Sequence, residues 1–103
     1  MPSPVSAGTE AMSEADLKRI VVDMAHAFGW RVFSLPMARG TRPVKDASGY
    51  PDLTLARNGA VLFLELKTQK GVLSPEQMEW LKILPAMLVI RPNDLDTLAE
   101  TLA

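Results

Sequence analysis

A chain of 103 residues with a formal net charge of −1 reads as one domain with room for a single hydrophobic core, near the size at which dimerisation helps. Having no cysteine, it can use neither disulfide staples nor thiolate metal sites, so a metal must be held by oxygen or by the one histidine. The charge makes no global case for nucleic acid, the short apolar runs exclude a membrane span, and the N-terminus carries no secretory pattern, so a cytoplasmic setting is expected.

Residues 1–12, small, polar and proline-containing, are expected to form a flexible leader, with Met12 a candidate natural start; the folded domain is expected over 13–103. Ser13 then suits an N-cap with Asp16 as a capping-box variant. Leu17, Ile20, Val21, Met24 and Phe28 follow at helical spacing, and Gly29 ends the helix. Glu14 aligns with this apolar stripe, where it either completes an acidic site or simply answers the helix macrodipole. His26 falls off the stripe and reads as surface.

A short strand from Trp30 to Leu35 leads into a long loop punctuated by Pro36, Gly40, Pro43 and Gly49. Between Arg31 and Lys45 the chain carries Arg31, Arg39, Arg42 and Lys45 and no acid. This stretch is either a basic arm for a phosphate backbone or an ordinary solvated loop.

Asn58-Gly59 is a strong signal for a two-residue hairpin turn, both residues accepting positive φ. Pairing Arg57 with Ala60 and Leu55 with Leu62 brings Asp52 opposite Glu65 on the neighbouring strand, with Cβ atoms about 5 Å apart. Lys67, two residues beyond Glu65, projects from the same side of its strand. Two carboxylates so placed repel by about 3 kcal/mol at an effective dielectric of about 20. A positive partner is therefore expected between them. Lys67 supplies part of that charge, but a hard divalent cation suits the oxygen pair better, since Mg²⁺ is held by one or two carboxylates plus substrate phosphates. The competing reading is a structural Asp-Glu-Lys cluster at a solvated strand end.

The second hairpin strand, Ala60 to Leu66, is apolar on both faces until Glu65, which marks a central strand covered on both sides. Ser74-Pro75-Glu76-Gln77 is a capping box with proline at the first helical position, so a second helix starts there and ends before Pro85. Gln77 shares a stripe with Trp80, Leu81 and Leu84, so its role is either local capping or service to the site. Ala86 to Arg91 makes a fourth strand, and Asn93 caps a last helix towards Leu102. Trp30 and Trp80 read as packing residues, and the methionines as gap-fillers. The element order is αβββαβα.

GYPDLTL, the 12-residue interval between Asp52 and Glu65, LELKTQKGVLSPEQMEWL and RPNDLDTLAETL together resemble the VRR-NUC branch of the PD-(D/E)xK nuclease superfamily, over residues 13–103. The chain departs from that pattern where Pro85-Ala86 replaces the glycine usually found after the second helix, and in a shorter interval from Trp80 to Arg91-Pro92. The resemblance implies an α/β fold with a restriction-endonuclease-like core, a mixed central sheet flanked by helices. It implies a metal-dependent DNA endonuclease, with branched or junction DNA a candidate substrate. Asp52, Glu65 and the Leu66 backbone carbonyl would bind Mg²⁺ or Mn²⁺, and Lys67 would orient the attacking water. The helix-one glutamate and the family glutamine fall on Glu14 and Gln77, Glu14 reaching the metal through water or supporting a second ion. Arg39, Arg42, Lys45 and Lys70 would grip the DNA backbone, and stand-alone relatives suggest a homodimer in a bacterial or phage-infected cell. Two other readings stand beside it: a catalytically silent nucleic-acid-binding or assembly module on the same fold, and an RNA-directed nuclease.

Overall fold

The computed structural model describes residues 11–34 and 46–103. Ser13 Oγ accepts from the Asp16 amide 3.1 Å away and starts helix α1, Glu14–Ala27. The fully buried stripe of α1 is Leu17, Val21 and Ala25, with Ile20 and Met24 at its flanks. Phe28, expected on that stripe, is 37% exposed. It is the C-cap, and Gly29 at φ +84° turns the chain away before its ring can face inward. Met12, assigned to the leader, packs against the core; residues 1–10 lie outside the described residues.

The first strand is shorter than expected, β1 spanning Arg31–Phe33. Strands β2, Leu53–Arg57, and β3, Ala60–Leu66, form the hairpin in the anticipated register, from Arg57↔Ala60 to Leu53↔Leu64. Asn58 and Gly59 adopt φ of 49° and 83°, as the turn requires. Helix α2, Pro75–Ile83, leads to β4, Met87–Ile90, which lies parallel to β3 with Leu64↔Leu88 and Leu66↔Ile90. Ala86 stays out of β4 because its φ is 56°, in the left-handed region. A 3-10 turn at Pro92–Asp94 precedes helix α3, Leu95–Leu102. The expected cap by Asn93 is not made: the N-cap of α3 is Asp94, without a side-chain capping bond, and its carboxylate instead accepts from the Arg91 amide at 2.8 Å across the 3-10 turn. The sheet is mixed, in the order β1-β2-β3-β4.

Alternation along the strands separates two faces. One carries Leu53, Leu55, Leu64, Leu66 and Ile90, buried against Leu17, Val21 and Ala25 of α1 and Leu95, Leu98 and Leu102 of α3. The other carries Phe63 and Glu65. Gln77 bonds to Glu65, and the Tyr50 ring meets both Phe63, at 6.3 Å, and Trp80, at 5.0 Å, so α2 covers that face. Coverage of β3 on both sides holds only near its end: Leu64, Glu65 and Leu66 are buried, whereas Ala60 and Val61 are exposed. Helix α2 has no buried residue, so the inward stripe expected at Trp80, Leu81 and Leu84 shrinks to half-buried Gln77, Trp80 and Leu84, with Leu81 exposed.

Two arginines tie the periphery down. Arg57 stacks 4.4 Å over the Trp30 ring and donates to the Phe28 and Leu102 carbonyls, each at 2.8 Å. Trp30 Nε1 donates to the same Leu102 carbonyl at 2.9 Å. Arg91 donates to the carbonyls of Thr68 and Gly71, both at 2.7 Å, and fixes the turn that follows β3. Among the described residues no helix is long and apolar enough to cross a membrane.

Candidate functional site

The end of the β2–β3 hairpin opposite its turn brings Asp52 and Glu65 together. Asp52 lies one residue before β2, and its Oδ2 accepts from the Leu66 amide at 2.8 Å. A side chain thus closes the last rung of the ladder, which locks the carboxylate's position to the strand that bears Glu65. Glu65 is 2% exposed. Its Oε2 accepts from Gln77 Nε2 at 2.9 Å, while no donor of the described residues reaches the buried Oε1.

Gln77 makes the local capping bonds and also reaches Glu65. Its Oε1 accepts from the Ser74 amide at 2.8 Å, and Ser74 Oγ accepts from the Gln77 amide at 3.1 Å, completing the capping box. The same side-chain amide turns its NH₂ to Glu65. One planar group therefore fixes both the start of α2 and the orientation of the carboxylate.

Burial pushes the Glu65 pKa up to about 8, assisted by the charge of Asp52 and by a hydrogen bond between the two carboxyl groups; Lys67 opposes the rise and Glu14 adds to it. A carboxyl so raised favours its protonated form near neutrality, with the proton shared between the two acids. A proton, a water hydrogen or a cation would each satisfy Oε1, and the Asp52 and Glu65 carboxylates are a hard oxygen donor pair that fits Mg²⁺ or Mn²⁺. Among the described residues no three of Asp, Glu, His or Cys converge as a ready ligand set. Glu14 is exposed, and it reaches the Glu65 carboxyl through its field.

Glu14, Ala15, Lys18, Asp52 and Leu66 line a cleft of about 210 Å³ between the start of α1 and the hairpin end. Lys18 Nζ donates to Ser34 Oγ at 2.9 Å. Neither residue was singled out by pattern, because they are 16 positions apart and meet only in the fold. Lys67 is half-buried, and its stem passes over Gly71, where a Cβ would come within 3.4 Å of Lys67 Cδ and 3.0 Å of Thr68 Oγ1. Among the described residues no carboxylate pairs with the Lys67 ammonium. Lys70 is exposed on the turn after β3, while Arg39, Arg42 and Lys45 lie outside the described residues.

The approach to Asp52 is clamped to α2. Trp80 Nε1 donates to the Ser48 carbonyl at 3.0 Å. Gly49, at φ +79°, leaves no room for a side chain: a Cβ would stand 2.4 Å from the Glu76 carbonyl carbon and 2.6 Å from the Gln77 nitrogen. Comparisons with protein-family models, curated proteins and solved structures found no match to this chain.

Proposed function

We propose that the chain is a metal-dependent endonuclease that hydrolyses DNA phosphodiester bonds, on a restriction-endonuclease-like core of the VRR-NUC type. The observation that supports it most is the meeting of Asp52, which lines the cleft, with buried Glu65, whose Oε1 has no partner among the described residues. Asp52, Glu65 and the Leu66 carbonyl would hold Mg²⁺ or Mn²⁺, with Glu14 available through water. Such an ion, when bound, supplies charge neutralisation at the phosphate and lowers the pKa of its water.

The protein's own groups do the rest. Asp52 is held in place by the Leu66 amide and Glu65 by Gln77, so neither acid needs to reorganise on binding. Lys67, one residue past β3, continues the Glu65 side of that strand by alternation and orients the attacking water. Arg39, Arg42, Lys45 and Lys70 hold the DNA backbone without reading sequence, and a second copy completes a homodimer. Labelled single strands, duplexes, flaps and four-way junctions, with RNA hairpins alongside, test this in Mg²⁺ or Mn²⁺. Wild type is expected to cut DNA, and Asp52→Ala and Lys67→Ala to lose the activity; variants as fast as wild type would end the assignment.

The buried Glu65 beside Asp52 also suits a second reading, a catalytically silent nucleic-acid-binding module, since a proton shared by the two acids would satisfy them without any cation. DNA binding with no cleavage across Mg²⁺ and Mn²⁺ titrations would select it.

A further inference from the structure

Glu14 and Lys18 stand four residues apart on α1 with the acid first, the arrangement in which a helical ion pair forms most readily. The structure does not use it. Among the described residues no carboxylate lies within ion-pairing distance of the Lys18 ammonium, and its one bond to a side chain is to the Ser34 hydroxyl, just past β1. Both Glu14 and Lys18 nevertheless line the cleft with Asp52 and Leu66. An ammonium has three donors, and Ser34 takes one, which leaves two at the cleft wall.

We propose that Lys18, held by Ser34, is a phosphate-binding residue of this cleft, taking an unesterified oxygen of the nucleic-acid backbone beside Asp52. The ligand class follows from the charges. The hairpin wall of the cleft presents Asp52, and the α1 wall presents Lys18, restrained by a neutral hydroxyl, one turn beyond Glu14, so a metal-associated phosphate diester meets a carboxylate from one wall and an ammonium from the other. A compact ammonium suits a phosphate oxygen as a point charge, without selecting a base. Ser34 keeps the long side chain from collapsing onto Glu14, which lowers the ordering that binding demands. This inference rests on the nuclease reading for the identity of the anion.

The test measures binding of the full chain to a labelled duplex and four-way junction in Mg²⁺, in a Lys67→Ala background that prevents turnover, from 50 to 200 mM salt. Adding Lys18→Met is expected to weaken binding equally for unrelated sequences and to flatten the salt dependence. One lost phosphate contact removes about 3- to 4-fold of the affinity change across that range. Lys18→Arg should restore the slope, and Ser34→Ala should weaken binding while leaving the slope intact. Lys18 is exposed, so an unchanged melting temperature will show that the fold is preserved. If Lys18→Met binds with the parent's affinity and slope, this inference falls and the nuclease reading stands. If the parent binds no DNA, both fall.

Discussion

The Gln77 side-chain amide bridges the Ser74 backbone and the Glu65 carboxylate, 2.8 Å from one and 2.9 Å from the other. Stability and site geometry are coupled through this group. Gln77→Ala removes both bonds and leaves a buried carboxylate without its donor, which is expected to cost about 1–3 kcal/mol above pH 8, where Glu65 is ionised. Gln77→Glu keeps the acceptor for Ser74 but sets a third acid against Glu65, so its deficit should grow with pH. Urea unfolding of both variants at pH 6 and pH 9 checks this; a Gln77→Glu deficit independent of pH would contradict it.

Glu65 makes the metal-free protein sensitive to base. Native Glu65 keeps its proton to about pH 8, whereas the unfolded chain releases it near the ordinary value of 4.5. The native state therefore binds the extra proton between those values, and stability falls as pH rises through that window, by at most about 1.4 kcal/mol per unit. Glu65→Gln, which accepts from Gln77 and donates to Asp52, is expected to flatten the profile and to exceed wild type in stability at pH 9. Denaturation midpoints from pH 5 to pH 9, in EDTA, measure it.

Divalent metal should displace that proton. Calorimetry at pH 7 in two buffers of different ionisation heat is expected to show proton release on Mg²⁺ or Mn²⁺ binding to wild type. At a hundredfold excess over Kd the gain in stability is about 2.7 kcal/mol. Asp52→Asn should bind neither ion and gain nothing; a full thermal shift in that variant would remove Asp52 from the ligand set.

Two backbone positions make opposite predictions. Gly49→Ala drives a Cβ into the backbone of Glu76 and Gln77 at positive φ, so it is expected to cost about 1–3 kcal/mol and to shift Trp80 fluorescence as α2 moves away. Ala86 already occupies φ 56°, so Ala86→Gly should stabilise by about 1 kcal/mol. Thermal melts of the pair decide both.

Local chemistry was legible in the chain, and long-range side-chain chemistry was not. Asn58-Gly59 set the hairpin register, and with it the meeting of Asp52 and Glu65, because a two-residue turn leaves no freedom in pairing. Ser74-Pro75 located the start of α2 because the serine caps the helix and the proline suits its first turn. Phe28, Leu81 and Asn93 misled because helical spacing or residue type promised burial or capping that the chain's change of direction withdrew. Lys18 with Ser34, Arg57 with Leu102, and Arg91 with Thr68 and Gly71 leave no periodic trace. Each is a donor meeting a distant acceptor that only the finished sheet brings near.

Arg91 gathers carbonyls from the segment joining Lys67 to α2, so a residue remote from the acids governs how firmly their strand is continued. Tolerance to change should divide the molecule accordingly. The outward side of α2, with Met78 and Ile83 facing water, should accept change readily, whereas loss of Arg91 should loosen the segment that follows the acids it never touches.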